Sequence, residues 1–122
     1  MFVTNRYQLI TAWGDWLRSM DWDWWVTATF RNQVSNGQAD GVWAKWLLAL
    51  ESTVQHKVDY VRTAEMQRFQ RDNPHFHALL AGVDGESPKK WRDEWYKLAG
   101  FCIILPYAPS LGAAYYIAKY AG

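Results

Sequence analysis

Apolar residues recur at helical spacing in two long stretches of the chain. In the first, Tyr7, Leu9, Ile10, Trp13, Trp16 and Leu17 mark one face of a helix that Thr4 or Asn5 would cap and that runs through about Ser19. In the second, Val42, Trp43, Trp46, Leu47, Leu50 and Val54 predict a helix from Asp40, in capping position, to about His56. Between them residues 24–30, Trp-Trp-Val-Thr-Ala-Thr-Phe, are aromatic and β-branched and run into the turn-forming stretch 32–37. That composition predicts a strand with Val26, Ala28 and Phe30 on one face. Residues 58–67 and 75–83 read as two more strands, and Asp72-Asn73-Pro74 between them favours a turn, so the pair forms an antiparallel hairpin. Ser87-Pro88 introduces a helix over about 89–98, which Gly100 ends. Residues 101–107 read as a buried strand closed by Pro106, and Ser110 can cap a last helix over 111–120.

The order α-β-α-β-β-α-β-α predicts an α+β, ferredoxin- or RRM-like sandwich, with a central and largely antiparallel sheet flanked by helices. The 122 residues suit one domain over 1–122, and 50% hydrophobic with 20% charged residues excludes a disordered tail. Thirteen Lys and Arg against twelve Asp and Glu leave a net charge of +1, so an anionic partner must be held by local patches. No run of eighteen apolar residues and no basic-then-apolar leader is present, which predicts a chain without a membrane association. The single Cys102 cannot close an internal disulfide and fits a reducing, cytoplasmic setting. Nine Trp, seven Tyr and five Phe exceed what a small core usually needs, leaving rings that could stack on bases.

The chemistry concentrates in two short motifs. In His75-Phe76-His77 alternate strand residues point the same way, so two imidazoles about 6.5 Å apart along the backbone can converge on one ion while Phe76 enters the core on the other face. If the hairpin register has an even residue sum, Glu65 lies across from His75 or His77 on their face. Two nitrogens and one oxygen would leave positions open on a divalent ion such as Mn²⁺ or Mg²⁺. The same donor set also suits a two-His-one-carboxylate iron oxygenase, and two solvated sheet histidines are the plain alternative. In the last helix, Tyr116 and Tyr120 are four residues apart and share a face, with Lys119 beside them and Tyr115 turned toward packing. A phenol becomes a competent nucleophile when a nearby cation favours its ionised form, and Lys119 could neutralise a phosphate or leaving oxygen.

Val26-Thr27-Ala28-Thr29-Phe30, Pro74-His75-Phe76-His77-Ala78-Leu79-Leu80 and Tyr116-Ile117-Ala118-Lys119-Tyr120 resemble, in the same order, the three motifs of HUH endonucleases. Among these they look most like the rolling-circle replication initiators (Rep proteins) of plasmids and single-stranded DNA phages, of the two-tyrosine kind. The resemblance implies that His75 and His77, with Glu65, bind the metal. It implies that Tyr116 cuts one DNA strand, keeps the 5′ phosphate as an ester and frees a 3′-OH, and that Tyr120 attacks after one round. Tyr116 and Lys119 also satisfy the Tyr-x-x-Lys pattern of single-tyrosine relatives. Implied partners are single-stranded DNA or an origin hairpin and a host polymerase and helicase, in the cytoplasm of a bacterium carrying the replicon. The chain stops two residues after Tyr120 without a helicase region, as an excised nuclease domain or a minimal initiator would. Arg68, Arg71 and Phe69 in the hairpin turn, with Arg31 and Arg62, are the candidate DNA contacts. A transposase or relaxase on the same domain, and a non-catalytic RRM-like binding module, are the competing readings.

Overall fold

The computed structural model describes the backbone of residues 6–66 and 73–121 and the side chains of residues 8–66 and 73–119. Its elements follow the expected order: α1 (Arg6–Arg18), β1 (Trp24–Ala28), α2 (Asn36–Val54), β2 (Asp59–Met66), β3 (Pro74–Ala81), α3 (Pro88–Leu98), β4 (Cys102–Pro106) and α4 (Ala113–Ala121). The strands form one antiparallel sheet in the order β2-β3-β1-β4. With α2 and α3 as crossovers this is the split βαβ arrangement of a ferredoxin-like α+β fold.

Because side chains alternate across a strand, the register sorts the sheet into two faces. Trp24, Val26, Ala28, Phe76, Ala78, Leu80 and Ile104 meet α2 and α3 in the larger core. Trp43, Trp46, Trp91 and Trp95 fill the space above them, each 2% exposed or less. Their rings meet at angles from tilted to edge-on, Trp46 against Trp95 at 5.9 Å and 87°, the geometry that ring quadrupoles favour. Burying each ring contributes on the order of 3 kcal/mol. Three indole N–H groups are satisfied: Trp46 donates to the Trp91 carbonyl at 3.0 Å, Trp95 to the Thr29 carbonyl at 2.9 Å, and Trp91 to Glu86 at 3.1 Å. On the opposite face Leu79 packs with Leu17 of α1 and with Ala113, Ala114, Ile117 and Ala118 of α4.

Several boundaries differ from the sequence reading. Helix α2 starts at Asn36, four residues earlier than expected, because Ser35 and Gln38 form a reciprocal capping box; Asp40 is an exposed helical residue instead of the cap. Helix α4 starts at Ala113: Pro109–Leu111 forms a 3₁₀ turn, Ser110 does not cap, and Gly112 adopts φ +77°, open to glycine without strain. Strand β1 ends at Ala28, although Phe30 remains buried on the same side. The last strand is not buried as expected. It lies at the sheet edge with only Ile104 buried, while Ile103 and Leu105 are 55% and 43% exposed. Asn73, expected merely to turn the chain, is buried; its side chain accepts from Val34 N and donates to Asn32 O, tying the loop after β1 to the start of β3. The expected caps Thr4 and Asn5 lie outside the described residues. Among the described residues no helix is long and apolar enough to cross a membrane.

Candidate active site

The β2–β3 register has the even sum that brings the acidic residue to the histidines. Glu65 is paired with His75, Thr63 with His77, and Thr27 of β1 with His77 from the other side. All five side chains therefore share the face opposite the tryptophan core. Helix α4 lies across β2 and β3 on that face, seated through its alanines and Ile117. That seating leaves Tyr116 on the helix flank, 37% exposed.

Four groups then form a connected chain. The Tyr116 hydroxyl donates to Glu65 Oε2 at 3.1 Å, and the same oxygen lies 2.9 Å from His77 Nε2. His77 Nδ1 faces Thr27 Oγ1 at 3.4 Å. The His77 and Tyr116 rings meet edge-on with centroids 4.9 Å apart, and Trp25 lies 6.3 Å from Tyr116 on the other side. His77 is 6% exposed, whereas Tyr116 and Glu65 open toward solvent, so the phenol can be reached from outside. Burial, and then the neighbouring His77, hold the His75 pKa below its usual 6.5, a shift that Glu65 partly opposes. A lowered pKa favours a neutral imidazole, the form that ligates metals.

The donor set fits a divalent ion: two imidazoles and a carboxylate on adjacent strands, with the phenol hydroxyl already on the carboxylate. Among the described residues no three His, Cys, Asp or Glu side chains stand as a preformed metal cluster. An ion held here would take the place of the direct Glu65–His77 hydrogen bond.

The structure thus brings together Glu65, His75, His77 and Tyr116. Lys119 follows on the exposed side of α4. Tyr115 is a packing residue, its ring against Gly14 of α1 and its hydroxyl hydrogen-bonded to Asp15. Two candidate DNA contacts stand away from this cluster. Arg62 lies on the opposite face, 2.7 Å from Asp40 and 4.1 Å above the Phe76 ring. Arg31 donates to the Tyr96 and Lys97 carbonyls at the end of α3, at 2.6 and 3.3 Å, where a cation complements the helix dipole. Arg68, Phe69, Arg71 and the Tyr120 side chain lie outside the described residues. Of the tryptophans around the start of β1, Trp24 is buried in the larger core, Trp22 donates to the Leu17 carbonyl, and Trp25 is half-buried beside Tyr116. Thr27 is the site neighbour to which sequence reasoning assigned no role. Its position in β1 signals it only once β1 is known to lie next to β3.

Comparison with known proteins adds an independent line. Neither the search of curated proteins nor that of solved structures returned a match. A family model, that of the replication-associated protein ORF2, matches residues 23–122, from the start of β1 through the tyrosine helix. The matched stretch contains every residue of the cluster just described, and the chain belongs to this family of replication-associated proteins.

Proposed function

We propose that this domain is a metal-dependent, sequence-specific single-stranded DNA endonuclease and strand transferase that starts rolling-circle replication of a plasmid or phage. The observation that carries the reading is the position of Tyr116 Oη, 3.1 Å from the carboxylate that also touches His77.

Tyr116 Oη attacks the scissile phosphorus, forming the Tyr–O–P bond as the bond from phosphorus to the 3′ oxygen breaks. The 5′ side remains as a phosphotyrosine ester; the phenol gives up its proton to solvent, and the leaving oxygen takes one from solvent to become the 3′-OH that a polymerase extends. Glu65 aims the hydroxyl. A carboxylate is about six pKa units too weak to deprotonate an ordinary phenol outright, a deficit of about 8 kcal/mol, so orientation is its part. His75, His77 and Glu65 would hold a Mn²⁺ or Mg²⁺ ion, which supplies Lewis-acid polarisation of the phosphate and favours the phenolate. Lys119, one turn beyond Tyr116, would neutralise phosphate charge, and Tyr120 is the candidate second nucleophile for release of the circle. The apolar sheet surface of Ile103 and Leu105, on the histidines' face beyond Thr27, offers the flanking bases a platform. Family membership and the phenol on the carboxylate favour DNA breakage over iron-dependent oxygenation.

The test is to incubate the protein with labelled single-stranded oligonucleotides and Mn²⁺, and to seek a protein–DNA band that survives denaturation. The wild-type chain forms the band and Tyr116→Phe does not. DNA binding without any covalent band in the wild type would replace this reading with that of a binding module.

A further inference from the structure

His77 is flanked on both neighbouring strands by threonines, and the two are chemically unequal. Thr27 and Thr63 each lie directly across from His77 in the sheet. Thr27 Oγ1 is 3.4 Å from His77 Nδ1, whereas Thr63 Oγ1 is buried without a hydrogen-bond partner among the described residues. The other ring nitrogen, Nε2, is 2.9 Å from Glu65 Oε2. A neutral imidazole carries one N–H and one lone pair. Without an ion, the stronger, charge-assisted bond places the proton on Nε2 toward the carboxylate, leaving Nδ1 to accept. For Nε2 to ligate a cation, its proton must leave and Nδ1 must gain one from solvent; the imidazole stays neutral and the proton count is unchanged. A hydroxyl can follow that change without moving, because it donates or accepts by rotating its hydrogen.

We infer that Thr27 is a positioning residue that holds His77 in both tautomers, donating to Nδ1 in the ion-free protein and accepting Nδ1–H when Nε2 binds a cation. This rests on the metal-site reading proposed above. Partners on the second nitrogen of a ligating histidine typically change metal affinity 10–100-fold. The 3.4 Å separation places Thr27 at the lower end, about tenfold.

Thr27→Val is nearly isosteric and keeps the β-branched shape that suits a strand. Mn²⁺ affinity is read from the electron paramagnetic resonance signal of free Mn²⁺, and the His77 tautomer from imidazole ¹⁵N shifts with and without Zn²⁺ as a diamagnetic probe. The expected result is about tenfold weaker Mn²⁺ binding for Thr27→Val with an unchanged melting temperature, recovery in Thr27→Ser, and wild-type affinity in Thr63→Val. The wild-type His77 proton should sit on Nε2 without ion and on Nδ1 with Zn²⁺. Thr27→Val binding Mn²⁺ within about twofold of the wild type, or Thr63→Val losing as much as Thr27→Val, overturns the assignment to Thr27 alone. A wild-type chain that binds no Mn²⁺ overturns the metal site itself and this inference with it.

Discussion

Replacing Gly14 by alanine tests how the tyrosine helix is held in place. Gly14 is buried where α1 meets α4, and a Cβ there would lie 2.5 Å from Cε1 and 2.9 Å from Cγ of Tyr115, and nearer still to Cδ1. Carbon atoms in contact normally sit about 3.5–4.0 Å apart, so ring or helix must move by about 1.5 Å. Forcing a methyl into a packed interface costs about 1–3 kcal/mol. Moving the ring also strains the hydrogen bond from Tyr115 to Asp15, worth about 1 kcal/mol. Alanine's better helix propensity returns about 0.8–1 kcal/mol. The net expectation is a loss of about 1–3 kcal/mol, or roughly 3–12 °C in Tm for a domain of this size. Tyr115→Ala removes the obstacle, so in that background Gly14→Ala should stabilise by about 0.5–1 kcal/mol. Urea denaturation of the four proteins measures both values. Tyr116 follows Tyr115 directly, so the shift also moves the phenol off Glu65, and nicking below the melting range should fall by up to about 100-fold. If Gly14→Ala stabilises the otherwise wild-type chain, or destabilises both backgrounds equally, the packing argument fails.

Three further outcomes follow from individual side chains. Trp95, 0% exposed and packed on Phe30, Trp43 and Trp46, should cost about 3–5 kcal/mol on replacement by alanine, and a thermal melt showing less than about 1 kcal/mol would contradict the central role of the tryptophan cluster. The folded pKa of His75 lies below 6.5, chiefly through burial; the unfolded chain therefore takes up a proton first as pH falls, and stability present above pH 6.5 is lost as pH drops through the folded value. Denaturation at stepped pH should show that loss and His75→Gln should flatten it, whereas an NMR midpoint for His75 at or above 6.5 would rule it out. Burial pushes the Cys102 thiol up to about 12, so little thiolate is present at about pH 8 and dithionitrobenzoate should label the native chain far more slowly than the unfolded one; equal rates for the two would contradict the raised pKa.

Much of this architecture is legible in the chain because local signals agree with the tertiary ones. The tryptophans at helical spacing in α2 and α3 are the core, and the alternation around Phe76 sends it inward and the histidines outward. That Glu65 shares the histidines' face needs only the parity of the hairpin register, whereas its pairing with His75 and not His77 depends on the actual register. What stays hidden depends on neighbours distant in sequence. Residues 101–107 look buried because Ile103, Ile104 and Leu105 are all apolar, yet no single residue records that β4 ends up at the sheet edge. Arg62 reads as a phosphate contact until its strand parity puts it over Phe76 and against Asp40. Thr27 becomes a neighbour of His77 only when β1 inserts between β3 and β4. The start of α2 is an exception: Ser35-x-x-Gln38 is a local capping signal, masked by Asn36-Gly37, which reads equally well as a turn.

The central claim is that Tyr116 breaks DNA with its own hydroxyl. The most direct measurement is peptide mapping by mass spectrometry after reaction with a cleavable single-stranded oligonucleotide and Mn²⁺, followed by nuclease trimming. The account predicts a nucleotide joined through its 5′ phosphate to Tyr116 on the first cut. A nucleotide on Tyr115, or oligonucleotide cut without any tyrosine adduct, would contradict it.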